Sequence, residues 1–250
     1  MRISTVRRTA LIAFSVFIFL PAIFGQSPAP VASLDDRRKA LNSLFAEHWE
    51  ANLKHSPEFA SILGDKRYND QVSDLSVKAF NDWLAREQDF LMRLAAIDPT
   101  GFTDQEKISR ELLLREFAED EEAADFKEWE FPVDQMGGIQ TAFPQLVAEL
   151  SFTSVKDYDD WIARLHQIPK AFDQATTDMA IGMDDHRVPP KILLVKALDQ
   201  VKDLASQKPE DSPLAQPLKS FPASIPAAEQ ARIKEAPSRI IFWHSPGNRC

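Results

Sequence analysis

The sequence predicts an all-α fold, namely an antiparallel bundle of long helices with two ordered polar loops. Only 7 of the 250 residues are glycine and runs of β-branched residues are few, whereas a sheet needs turn glycines and β-branched strands. Apolar residues instead recur every three to four positions over long stretches, which is the spacing of one helix face. With 44% hydrophobic residues, a chain of this length can bury a core.

The first helix is predicted from an apolar stripe that spans residues 41–53 and includes Trp49. Directly after it, Ser56-Pro57 has the pattern of an N-cap followed by proline at the first helical position. This pattern predicts a short second helix that ends at Gly64. The polar segment GDKRYNDQVSDLS, residues 64–76, is the first of the two predicted loops.

Two longer helices follow this loop. Asp74 or Ser76 can cap the third helix, whose apolar residues continue to about Ile97. The segment Thr103-Asp104-Gln105-Glu106 is a capping box, and it predicts a fourth helix that ends near Phe126.

The second predicted loop, FPVDQMGGIQTAFPQ, spans residues 131–145 and contains the only Gly-Gly pair of the sequence. A long helix is predicted to begin after Ser154 and to keep one apolar face as far as Phe172. Pro169 lies inside this pattern and should kink the helix.

Proline dominates the C-terminal part, where nine of the 17 prolines lie at or after position 189. The segment Val188-Pro189-Pro190 is predicted to start a helix that ends near Ala205. The stretch KPEDSPLAQPLKSFPASIP then predicts turns and short helical pieces. A last helix is under way at Ala236, and Pro237 is predicted to break it.

Residues 1–25 have the layout of a secretory signal peptide. Three arginines precede an apolar stretch that is followed by the small residue Gly25. The apolar stretch covers residues 9–24, and a membrane-spanning helix needs about 20 apolar residues. We therefore expect an exported protein, periplasmic or secreted, with a disordered spacer at residues 26–34. An uncleaved N-terminal anchor is the alternative.

Charge excludes two classes of partner. The chain carries a formal charge of −9, and removal of residues 1–25 would leave 26 basic and 38 acidic residues. A surface this acidic repels nucleic acid and anionic lipid, so neither is expected to bind. With Cys250 as the single cysteine, no intramolecular disulfide can form.

The sequence contains no recognisable catalytic or metal-binding motif. None of the five histidines is followed by glutamate and no two are four residues apart, so the H-E-x-x-H pattern of zinc peptidases is absent. The acidic run Glu119–Glu122 is interpreted as a solvated helix face. We identify no catalytic residue and no metal ligand, and we expect no cofactor in this chain.

The two polar loops contain the candidate site residues. In one interpretation Arg67 pairs with a nearby carboxylate and Tyr68 packs on the bundle, which would fix a helix crossing. In the other, both loops line a cleft where Arg67 can bind a substrate carboxylate. The candidates are Asp65, Arg67, Tyr68, Asn69, Asp70, Gln135, Gly137 and Gly138.

Five segments in order resemble the bacterial family called domain of unknown function 885. They are SPEFASILGDKRYNDQVSDLS, MGGIQTAFPQLV, DYDDWIARLHQIPKAFDQ, VPPKILL and DSPLAQPLKSFPASIP. The resemblance covers residues 35–236. It implies a mainly helical, exported, metallopeptidase-like protein with a cleft between helical walls. In longer members the zinc motif lies in the C-terminal half, so zinc is expected only there and no ligand can be transferred to this chain.

The resemblance sets the functional expectation. We expect a truncated N-terminal part, half of a larger metallopeptidase-like fold, that is inactive by itself. Residues 237–250 match nothing familiar and are interpreted as an aberrant tail, from a frameshift or a mispredicted gene end. The expected partners are peptides or the missing C-terminal half, and apolar surface should be exposed where that half would pack. The alternative is a non-catalytic extracytoplasmic protein that binds peptides or other partners.

Overall fold

The structure is a computed structural model that describes residues 32–241. Within this range the fold is all-α, as predicted, and contains no strand. The helices are α1 (Leu34–His55), α2 (Pro57–Ile62), α3 (Val77–Ala95), α4 (Asp104–Ala124), α5 (Ile139–Glu149), α6 (Val155–Leu165), α7 (Ile168–Asp184), α8 (Lys191–Ser206) and α9 (Ala227–Ile241). Short 3-10 turns lie at Lys66–Tyr68, Glu128–Glu130, Pro209–Asp211 and Pro213–Leu218.

Side chains at the predicted caps begin several of these helices. The Ser76 hydroxyl accepts a hydrogen bond from the backbone N–H of Ala79 at 3.2 Å and so begins α3. Thr103 and Glu106 form the predicted capping box of α4. Each of these bonds satisfies a donor that the first turn of a helix leaves free.

Three clusters of buried side chains hold the helices together. The first lies between α1, α3 and α4 and is centred on Leu41, Phe90 and Phe117. The second joins α5, α6 and α7 around Phe143 and Trp161. The third packs α6 against the turn Pro213–Leu218 and α9. Because α6 contributes to both the second and the third cluster, it is the central helix of the C-terminal part.

Two predicted boundaries between positions 131 and 172 are wrong. The second loop ends at Gly138, because the apolar residues of 139–147 form the buried face of α5. The single helix predicted after Ser154 is two helices, α6 and α7, separated at residues 166–167. Pro169 occupies the first turn of α7, where proline is tolerated, and therefore begins a helix instead of kinking one.

Two further predictions are corrected by the structure. Pro237 does not break the last helix, since α9 continues to Ile241. Proline lacks the N–H that would bond to the Ile233 carbonyl, but its φ of about −65° is a helical value. Trp49, predicted as part of the inward stripe of α1, is 48% exposed. It lies at the edge of that stripe and contacts Phe59 of α2 at a ring distance of 6.5 Å.

The predicted leader at residues 1–25 and residues 26–31 of the predicted spacer lie outside the described residues, as do residues 242–250 of the predicted tail at 237–250. The last residue of the spacer, Leu34, is ordered as the first residue of α1. Among the helices of residues 32–241, none is both long and apolar enough to cross a membrane.

Candidate functional site

Arg67, the central candidate of the first loop, is bound to two carboxylates. Its guanidinium lies 2.6 Å from Asp65 Oδ2 and 2.8 Å from Glu50 Oε2. Hydrogen bonds to Asp65 and then to Glu50 hold the pKa of Arg67 above its ordinary value. The guanidinium also lies 5.5 Å from the centre of the Tyr68 ring. These contacts are the local carboxylate pairing that the first of the two interpretations described.

Arg164 of α6 attaches this loop to the bundle through hydrogen bonds on the buried side of the loop. Its side chain is fully buried. Nε donates to the Gln71 carbonyl at 2.8 Å, and Nη2 donates to the Tyr68 carbonyl at 3.0 Å and to Ser61 Oγ at 2.9 Å. Burial lowers the pKa of Arg164. One guanidinium thus binds two carbonyls of the loop and the Ser61 hydroxyl of α2, and nothing in the sequence pattern points to this role.

A second attachment joins the loop to the N-terminus of α6. Lys66 Nζ lies 2.6 Å from Asp157 Oδ1, and Asp157 Oδ2 accepts hydrogen bonds from the Thr153 and Ser154 backbone at 2.9 Å each. Burial by itself would raise the pKa of Asp157. Lys66 and the backbone N–H groups nevertheless hold it well below the ordinary value.

The remaining candidates of the first loop make backbone or local contacts. Asn69 Oδ1 accepts a hydrogen bond from Ser61 Oγ at 2.7 Å. The Asp70 carbonyl accepts one from Gln167 Nε2 at 2.6 Å, which adds a third attachment to the α6–α7 corner. The observed bonds of Asn69 and Asp70 therefore order the loop.

The second loop is organised by Asp134 and Gln140. Asp134 Oδ1 accepts hydrogen bonds from the backbone N–H groups of Met136 and Gly137, at 2.5 Å and 2.8 Å. The Gly137 bond and then the Met136 bond lower the pKa of Asp134. The buried Gln140 side chain donates to the Asp134 carbonyl at 2.6 Å. Together these bonds close the turn before α5.

Gly138 is required at this turn by close packing. A Cβ atom at this position would lie 2.9 Å from both the backbone N and O of Asp134. At Gly137 the nearest atom would be 3.7 Å away, an ordinary contact. The two adjacent candidate glycines therefore differ, and only Gly138 is sterically constrained.

The two loops are attached to different parts of the bundle. The first is bound to α6, whereas the second is bound to α8 through Gln200, which accepts from Gln140 Nε2 at 3.0 Å and donates to the Gln135 carbonyl at 3.0 Å. The observed contacts of both loops are therefore those of structural connections. Val72 of the first loop and Val133 of the second pack against the same core cluster, but the hydrogen bonds of the two loops do not converge on one group of polar side chains.

Carboxylates on α3 and α4 form a cluster that the sequence interpretation missed. Glu87 of α3 is 7% exposed, and burial followed by the charge of Asp120 raises its pKa to about 7. Burial and Asp120 also raise the pKa of Glu116. The signal in the sequence was the spacing of Glu116 and Asp120, four residues apart on one helix face.

The histidines of the described region do not form a metal centre. His48 packs edge-on against Phe117 at a ring distance of 5.0 Å, and His55 stacks on Trp83 at 4.1 Å. Burial lowers the pKa of both imidazoles. Across residues 32–241, no group of three or more His, Cys, Asp or Glu side chains is arranged to hold a metal ion.

Comparison with known proteins identifies the family of this chain. No curated protein matches the chain. The family described as bacterial protein of unknown function (DUF885) matches residues 57–241. This match includes both loops and extends five residues beyond Ala236, where the quoted resemblance ended. Since it covers most of the chain, the protein belongs to the domain of unknown function 885 family.

Proposed function

We propose that this chain is a non-catalytic helical part of an exported, metallopeptidase-like protein, and that it works by docking against another helical segment. The motifs shared with longer, zinc-containing family members support the metallopeptidase-like assignment. The leader-like pattern of residues 1–25 supports export. The C-terminal half of such a protein is the partner that we propose.

The outward face of α8 is the observation that carries this proposal. Ile192, Val195 and Leu198 are 62%, 46% and 49% exposed. Their spacing of three residues places them on one side of the helix. Among the described residues of α8, Ala197 alone is fully buried. A row of exposed aliphatic side chains on a helix is typical of a surface that a partner covers.

The inward side of α8 explains why the helix is ordered without burying that row. α8 packs on α5, and the Gln140–Gln200 hydrogen bond fixes it to the second loop. These contacts leave the Ile192–Leu198 face available.

The docking proposal is tested on the full chain, expressed with its own leader and recovered from the periplasm. We expect the wild-type protein to bind the dye bis-ANS and to self-associate in light scattering. The triple variant I192S/V195S/L198S should bind less dye and elute as a monomer. A matched control, M92S/M136S/M183S, removes three exposed apolar side chains elsewhere and should behave as wild type. A wild-type protein that is a dye-free monomer with a cooperative melt would contradict the proposal.

The non-catalytic part of the proposal has its own test. We expect that the purified chain shows no peptidase activity on a peptide mixture. Specifically, we expect no hydrolysis that is increased by added zinc or abolished by a chelator. Chelator-sensitive cleavage by the purified chain would show that the proposal is wrong in this respect.

Peptide binding at the two loops, the alternative function, has weaker support. Arg67 already binds Asp65 and Glu50, so a substrate carboxylate would have to displace one of them. Peptide binding that Arg67→Ala abolishes would favour this alternative over docking through α8.

A further inference from the structure

A ridge along the outward face of α4 combines exposed apolar side chains with carboxylates. Ile108, Leu112, Glu116 and Asp120 follow one another at intervals of four residues, so they form one line along the helix. Ile108 and Leu112 are 53% and 63% exposed. With a rise of 1.5 Å per residue, the line is about 18 Å long. Its first half is apolar and its second half is acidic.

The cations of α4 are bound to other carboxylates. Lys107 lies near Asp104, Arg110 pairs with Glu111, and Arg115 pairs with Glu119. The negative charges at Glu116 and Asp120 are therefore not neutralised by their own helix.

The buried Glu87 of α3 lies beside the acidic end of the ridge and responds to its negative charge. It is almost fully buried on α3, and its pKa is raised to about 7 by burial and by the charges of Asp120 and Glu116. Two cations of α3 make other contacts. Arg86 lies over the Phe90 ring at 5.7 Å, and Arg93 is bound to Glu47 and Asp89. Among the ion pairs of the described residues, none joins Glu116 or Asp120 to a cation of α3 or α4.

We propose that this ridge binds a cationic amphipathic segment of another polypeptide. An apolar side chain of the segment packs on Ile108 and Leu112, and a lysine or arginine about one to two turns further along pairs with Glu116 and Asp120. The chain's net charge of −9 attracts such a segment from a distance. The same charge repels nucleic acid and anionic membranes. This surface is separate from the α8 face, so the proposal does not depend on the one made for α8.

The test uses three fluorescein-labelled peptides and the full chain in anisotropy titrations. The first peptide carries leucines followed by lysines at this spacing, the second has glutamate for lysine, and the third has serine for leucine. We expect the Leu/Lys peptide to bind, with an affinity that falls as NaCl is raised. The Leu/Glu peptide should not bind and the Ser/Lys peptide should bind more weakly.

Variants of exposed residues locate the binding site. E116Q/D120N should weaken binding of the Leu/Lys peptide by about fivefold, the size expected for two partly exposed ion pairs. I108S/L112S should also weaken it. The matched control D199N/D203N removes two exposed carboxylates from α8 and should leave the affinity unchanged. Circular dichroism melts verify that each variant is folded.

Three results would overturn the proposal. Equal weakening by D199N/D203N would mean that the peptide responds to net charge alone. Equal binding of the Leu/Lys and Leu/Glu peptides would exclude selection for cations. If the wild-type chain is an oligomer and the I108S/L112S variant is a monomer, a second copy of the chain covers the ridge.

Discussion

At the scale of single residues, the most consequential side chain is the buried Arg164. A charge removed from water is costly unless its donors are satisfied. Here the Tyr68 and Gln71 carbonyls and the Ser61 hydroxyl accept from Nε and Nη2, whereas the buried Nη1 has no hydrogen-bond partner. Arg67 is the opposite case, because its ion pairs are solvent-exposed and such pairs contribute little to stability. The two arginines therefore make a matched test of which one holds the first loop.

Replacement of Arg164 should destabilise the protein far more than replacement of Arg67. Arg164→Ala leaves buried acceptors without a donor, and we expect it to lower the free energy of unfolding by about 3 kcal/mol. Arg67→Ala should lower it far less, because exposed ion pairs are screened by solvent. Urea denaturation of both variants measures the difference. Equal losses of unfolding free energy in the two variants would mean that the exposed ion pairs of Arg67 hold the loop as strongly as the buried Arg164 does.

Glu87 predicts a pH-dependent stability. Its pKa is about 7 in the folded protein against an ordinary 4.5, so the fold favours the protonated carboxyl. The resulting contribution is fully present below the unfolded pKa and is lost as the pH rises to the folded value. Glu87→Gln keeps the side chain neutral at every pH. We expect it to stabilise the protein by about 2 kcal/mol near pH 8 and to have almost no effect near pH 5.

Thermal melts of wild type and Glu87→Gln at the two pH values test this sign. If Glu87→Gln stabilises the protein equally at both pH values, the stabilisation comes from the amide group and does not depend on ionisation of Glu87. Destabilisation at the higher pH would show that Glu87 is charged and favourably paired there.

At the scale of elements, local chemistry decides where helices begin. Ser76 begins α3, and Thr103 with Glu106 begins α4, through bonds that span three residues. α5 differs because its N-cap, Gly138, has no side chain to accept a hydrogen bond. The position of α5 is set instead by the close approach of Gly138 to the Asp134 backbone.

The two neighbouring glycines should respond differently to the same substitution. Gly138→Ala would place Cβ 2.9 Å from Asp134 backbone atoms, so the turn must move and we expect a loss of about 2 kcal/mol. Gly137→Ala has room and should change stability by less than about 0.5 kcal/mol. Chemical denaturation of the pair checks this. Similar losses in both variants would mean that flexibility of the loop, and not packing, requires glycine.

At the scale of the whole molecule, a few long-range polar contacts join α2 and the first loop to α6. The Lys66–Asp157 pair and the bonds of Arg164 connect positions about 90 to 110 residues apart in sequence. Acid should therefore weaken the attachment of the first loop to α6.

Asp157 predicts a loss of stability at acidic pH. Its pKa is depressed in the folded protein, so the contribution to stability is present above the unfolded value of 3.8 and is lost as the pH falls through the lower folded value. Asp157→Asn should destabilise the protein at neutral pH and reduce the further loss between about pH 6 and about pH 3. Urea midpoints at the two pH values measure this. An unchanged pH dependence in the variant would contradict the role of Asp157.

The sequence by itself determined the all-α class, the caps of α3 and α4, the proline start of α2 and the proline-rich turns before α9. These features depend on the 3.6-residue period and on bonds within four residues, so a linear pattern contains them. It also offered local pairing of Arg67 as one of two interpretations. The tertiary structure alone decided that Arg164 holds the first loop and that Gln200 holds the second. It also decided that Glu87 meets Asp120 and Glu116, because these contacts depend on how distant helices pack.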